Sequence, residues 1–160
     1  MYRFSSVREQ VAAKGWALLP LRLMIGFGFS AHGYAKLSRG PEHFAVVLGA
    51  LGVPFPSLTS WITTMLELVG GVSIMAGAFV APLSIPLAAV MLVAMFKVHL
   101  QYGFSTIKLQ AVTASGAQFG LPGYELNLLY LAGLLTIVLS DPGRFSVDGF
   151  LRRRRDRLDA

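Results

Sequence analysis

Seven ionisable residues stand inside or at the edges of long apolar runs: Arg22, His32, Lys36, Glu67, Lys97, His99 and Glu125. An ionisable group at bilayer depth costs at least ~2.5–3.5 kcal/mol, so it faces a bundle interior, a counter-charge or a ligand pathway. Carboxylates, imidazoles and cations together suit proton carriage, or hydrogen bonding to a small polar headgroup such as a quinone. Arg22, His32, Glu67 and Glu125 are the leading candidates for ligand binding or proton carriage. Lys36, Lys97 and His99 stand behind them.

Depth and helical angle refine this set. With span centres near residues 27, 69, 92 and 132, Glu67 falls within roughly 3 Å of the midplane at a rise of 1.5 Å per residue. His32, Lys97, His99 and Glu125 fall about 7–11 Å toward one face, with Lys36 at the edge. Arg22, Gly26, Phe29, Gly33 and Lys36 share one stripe of the first run; Ser60, Thr63, Thr64, Glu67, Gly71 and Ala78 share one of the second. In the fourth run Glu125 lies with Leu129, Ala132, Thr136 and Ser140, and Asn127 points nearly the opposite way. Lys97 and His99 are about 200° apart, so only one of them can enter the bundle. Two readings follow. Arg22–Glu67 and Lys97–Glu125 are structural ion pairs, or His32, Glu67 and Glu125 line a polar pocket in the outer half of the bilayer. Lys36, at the end of its run, is expected to snorkel to the interface.

Other chemistries find little support. There is no cysteine, which excludes thiol exchange, cysteine-ligated iron–sulfur clusters and thioether-attached haem on this chain. His32 and His99 at similar depth would suit bis-histidine haem, but two histidines are a weak signal; no haem and no covalently bound cofactor is expected. No zinc H-E-x-x-H, P-loop or G-x-S-x-G pattern occurs, so no metal site is expected.

The elements that must position these residues are apolar helices. Of 160 residues, 54% are hydrophobic and only 14% charged, against about 25% charged in soluble domains; mean hydropathy is +0.61. Apolar runs at about residues 16–37, 58–80, 82–101 and 124–140 predict an all-α, four-transmembrane-helix bundle. Residues 44–51 form a short amphipathic piece, and 102–123 a longer loop whose partial alternation and Ser115-Gly116 turn suggest a small hairpin. Residues 1–15 read as a basic N-terminal segment, 16–143 as the membrane domain and 144–160 as a basic tail. Arg3, Arg8 and Lys14 precede the first run; Arg152, Arg153, Arg154, Arg155 and Arg157 follow the last. By the positive-inside rule both termini are expected in the cytoplasm, the loop outside, and the tail near anionic headgroups. The net charge of +6 is thereby accounted for without nucleic acid.

The stretch Arg22-Leu23-x2-Gly26-x-Gly28-Phe29-x2-His32-Gly33-x2-Lys36-Leu37 resembles the first helix of the DoxX family of small bacterial membrane proteins. Gly52-Val53-Pro54, then Glu67-Leu68-x-Gly70-Gly71 and Gly77, resemble its second segment. Phe119-Gly120-x2-Gly123-Tyr124-Glu125-x-Asn127-Leu128-Leu129 and Asp141-Pro142-Gly143-x2-Ser146-x-Asp148 are similar to its C-terminal part. The resemblance covers roughly residues 20–150. It implies a four-helix protein of the bacterial inner membrane, associated in some members with quinone-linked sulfur oxidation and in others with resistance to quinone or thiol stress. The expected role is a membrane subunit of such a system, dependent on a membrane or soluble redox partner, and a homo-oligomer is compatible with it. Two alternatives stay open: a small proton-coupled transporter, and a structural membrane adaptor without catalysis.

Overall fold

A computed structural model describes residues 16–140, 143 and 145–159; the expected N-terminal basic segment lies outside them. The order is α1 (Leu19–Arg39), α2 (Pro41–Ala50), α3 (Pro56–Ala76), α4 (Val80–Ala94), β1 (Leu109–Thr113), β2 (Gly116–Phe119), α5 (Glu125–Leu139) and α6 (Val147–Leu158). A π-helical turn, Met95–His99, and a 3₁₀ turn, Leu100–Tyr102, extend α4.

Proline and glycine punctuate the chain. Pro20, Pro41 and Pro56 sit in the first turns of α1, α2 and α3, where a missing N–H costs nothing. Gly40 (φ 88°) separates α1 from α2, and Gly77 (φ 66°) ends α3 in the left-handed region, as helix C-termini favour. Two residues later Phe79, which is not glycine, is also left-handed at φ 50°. This strained conformation needs outside support.

Helices α1, α3, α4 and α5 pack in a ring, α1 against α3, α3 against α4, α4 against α5 and α5 against α1. Their shared core is Ile25, Phe29, Ile74, Val80, Leu87, Met91, Leu134 and Ile137. Helix α2 packs on α3. Large apolar side chains also cover the outside of all four ring helices, among them Met24 and Phe27, Ile62 and Val69, Ile85 and Phe96, Leu135 and Leu139. A molecule apolar on both its core and its surface is built for a bilayer. Among the described residues two helices, Pro56–Ala76 and Val80–Tyr102, are long and apolar enough to cross a membrane. Helix α1 carries Arg22, Lys36 and Arg39, and α5 has 15 residues, about 22 Å against a hydrocarbon core of about 30 Å.

The closest packing is between α1 and α3. A Cβ on Gly26 would lie 2.5 Å from the Gly71 carbonyl oxygen, and one on Gly33 would lie 2.5 Å from the Leu68 nitrogen. Side-chain-free positions let the two backbones approach, as small residues do in membrane bundles. The antiparallel register is read from the level pairs Gly26 with Met75, Ser30 with Gly71, and Gly33 with Leu68. The expected loop hairpin is present, with Leu109 opposite Phe119 and Thr113 opposite Gly116, and every strand residue is exposed.

Candidate functional site

Glu67 is 2% exposed and forms a salt bridge with Lys36. The α1–α3 register dictates this partner. Extended from its level pairs, it sets Glu67 opposite Tyr34, two residues from Lys36. Arg22 lies 14 residues before Lys36, about 21 Å along α1, and falls instead beside the end of α3. The expected Arg22–Glu67 pair is therefore replaced by Lys36–Glu67. Lys36 does not snorkel: its ammonium turns inward to the carboxylate and lies 4.4 Å from the centroid of the Phe44 ring on α2, a cation–π contact.

Hydroxyls extend this polar seam along α3. Ser60, Thr63, Thr64 and Glu67 are all buried on one face, as their spacing predicts. Ser60 Oγ donates to the Pro41 carbonyl at 2.6 Å, tying α2 to α3. Thr64, three residues before Glu67, is fully buried, and its Oγ1 has no hydrogen-bond partner among the described residues. A buried hydroxyl without a partner costs about 1–3 kcal/mol. The seam thus combines a carboxylate, an ammonium and a spare hydroxyl with one aromatic ring, between α1, α2 and α3.

The other candidates are not brought to this seam. His32 is exposed on the outer face of α1. Lys97 is exposed in the π turn, and His99 turns to the loop, its Nδ1 3.1 Å from the Pro122 carbonyl oxygen. Glu125 is half-buried at the start of α5, where its Oε2 accepts from the Thr106 backbone N–H at 2.9 Å; it fastens the loop. The inward face of α5 carries Asn127, Leu134 and Ile137, whereas Ala132 and Thr136 face outward. Polarity misled the face assignment here because Thr136 satisfies its own hydroxyl on the Ala132 carbonyl at 2.8 Å. Asn127 Nδ2 donates to the Met91 carbonyl at 3.3 Å.

Arg22, 3% exposed, belongs to a second polar cluster at the other end of the ring. Its guanidinium donates to the Phe145 carbonyl and lies close enough to Asp148 for their charges to attract. Asp148 accepts from the Phe79 N–H at 2.9 Å and the Val80 N–H at 3.0 Å, and its own N–H donates to the Gly77 carbonyl at 2.9 Å. One carboxylate thereby caps the N-terminus of α4 and holds the left-handed Phe79. Ser146 caps α6, its Oγ accepting from the Gly149 N–H at 3.0 Å. A cavity of about 90 Å³ lies between Arg22, Asp148, Leu18, Val80 and Ile137. The Asp148 role was not read from the sequence, because its partners Phe79 and Val80 lie 69 and 68 residues away.

Comparison with curated proteins and with solved structures found no match. The DoxX family model matches residues 17–100. That stretch contains all of α1, α2 and α3 and hence the whole Lys36–Glu67 seam, so this helical membrane protein belongs to the DoxX family.

Proposed function

We propose that this chain is a membrane subunit of a quinone-linked redox or quinone-stress system and that the Lys36–Glu67 seam is its headgroup site. The observation that carries this reading is a buried carboxylate, paired to a mostly buried ammonium, beside the unpartnered Thr64 hydroxyl. A quinone headgroup is a flat ring with two carbonyl acceptors. Lys36 and Thr64 offer donors, Glu67 holds Lys36 in place, and Phe44 offers an aromatic face. The apolar outer surface admits a lipid-soluble ligand from the bilayer. Electrons would pass to or from a partner protein, since the chain has no thiol to exchange them. In this reading α1, α3, α4 and α5 all span the bacterial inner membrane, with α6 cytoplasmic and the β1–β2 hairpin outside. Its support is the outer apolar surface shared by all four helices and the arginine-rich tail.

Quenching of Trp61 fluorescence by a short-chain quinone analogue, in purified protein carrying Trp16→Phe and reconstituted in nanodiscs, tests the site. Saturable quenching that weakens at least tenfold in Thr64→Val and Glu67→Gln supports it. Unchanged quenching in both variants refutes it. Proton uptake by proteoliposomes without quinone would favour the transporter. Loss of folding in Glu67→Gln with no quinone binding in the parent protein would favour the adaptor.

A further inference from the structure

The C-terminal helix α6 carries an apolar stripe, unpartnered among the described residues, within a ring of arginines. Val147, Phe150, Leu151 and Leu158 recur at helical spacing on one face, and they are 42%, 59%, 51% and 79% exposed. Arg155 and Arg157 flank that stripe on either side and Arg154 lies within it, while Asp156 falls on the opposite face. All three arginines are exposed. An apolar face with cationic edges is the pattern of a helix lying in the headgroup region of a membrane.

The fold places this helix at the required level. Its second residue, Asp148, is hydrogen-bonded to Phe79 and Val80, where the membrane-crossing helix Val80–Tyr102 begins. Phe145, just before it, contacts Trp16 at a ring-centroid distance of 4.2 Å, and aromatic side chains mark the membrane–water boundary. Helix α6 therefore starts at the bilayer edge with its stripe uncovered by the other described residues.

The geometry points to α6 as an interfacial helix that binds an anionic phospholipid surface, with Asp148 as the joint fixing it to the α3–α4 turn. Anionic lipid is favoured over another protein by the charge of the stripe's edges and by the height at which the helix begins. The proposal does not depend on what the Lys36–Glu67 seam binds.

Because the chain has no cysteine, a spin label can be placed singly at Leu151→Cys, with Phe150→Cys as a second position and Asp156→Cys on the opposite face. The full chain is reconstituted in nanodiscs of phosphatidylcholine alone or with one third phosphatidylglycerol. In the anionic discs the labels at 150 and 151 are expected to be accessible to oxygen and shielded from a water-soluble nickel chelate, and the label at 156 the reverse. Replacing Arg154, Arg155 and Arg157 by Gln should lower the docked-to-undocked ratio roughly fivefold each and ~100-fold together. Equal nickel accessibility at 151 and 156 in anionic discs overturns the proposal. So does docking that survives the triple replacement.

Discussion

Removing Lys36 strands a carboxylate that is 2% exposed, and the cost of that isolation is measurable. Breaking a buried pair by deleting one partner costs about 3–5 kcal/mol, most of it from the charge left behind. The two halves of this pair are unequal. The Lys36 side chain keeps 19% exposure, so in Glu67→Gln the ammonium can turn toward headgroups while the amide still accepts a hydrogen bond. That variant should lose about 1–2 kcal/mol. Lys36→Met should lose about 3–4 kcal/mol, because Glu67 has no route to water. The double variant removes both charges, so the losses should not add, and a coupling of about 2 kcal/mol is expected. Equilibrium unfolding in mixed micelles, followed by Trp16 and Trp61 fluorescence and by far-ultraviolet circular dichroism, supplies the four stabilities. A parallel cycle with Arg22→Gln and Glu67→Gln should be additive within ~0.5 kcal/mol, since those sites lie far apart. Coupling below ~0.5 kcal/mol for Lys36–Glu67, or a larger one for Arg22–Glu67, would refute the register on which the site is built.

Gly71→Ala places a Cβ 2.5 Å from both the Gly26 oxygen and the Ser30 nitrogen; it should destabilise by about 1–3 kcal/mol, read as a lowered Tm in detergent. Asp148→Ala removes the acceptor shared by the Phe79 and Val80 N–H groups. Amide exchange at those two positions should quicken by at least tenfold, with little change at buried Leu87, as hydrogen-exchange mass spectrometry would show; unchanged exchange at 79 and 80 would dismiss the cap. His32→Ala removes an exposed side chain and should shift stability by no more than ~0.5 kcal/mol. It should also leave quinone-analogue quenching intact, and a loss there would return His32 to the site.

Much of the scaffold was legible because apolar length and proline or glycine breaks are local signals. The helices of the ring match the expected runs to within a few residues, and the weak alternation around Ser115 does form a hairpin, whereas helix α6 lies in what read only as a basic tail. The polar stripe of α3 was legible from spacing: Ser60, Thr63 and Thr64 fall on the same helical face as Glu67, whose carboxylate has no partner in its own helix and must turn inward. The stripe of α5 was not, because Thr136 bonds to its own helix and Asn127 reaches the Met91 carbonyl of α4. Angles alone could not distinguish these cases. The roles of Phe44 and Asp148 were also invisible, since each acts on a helix distant in sequence.

The sequence by itself determined that this chain is a helical membrane protein with a carboxylate deep in its second apolar run, because transfer free energy and helical period depend on composition and spacing alone. Which cation meets that carboxylate was decided only in the tertiary structure. Glycines on α1 and α3 set how closely the two helices approach, and that close contact fixes their relative level to within a turn. At that level Lys36 meets Glu67, and Arg22, equally cationic and equally buried in apolar sequence, goes instead to Phe145 and the Asp148 joint.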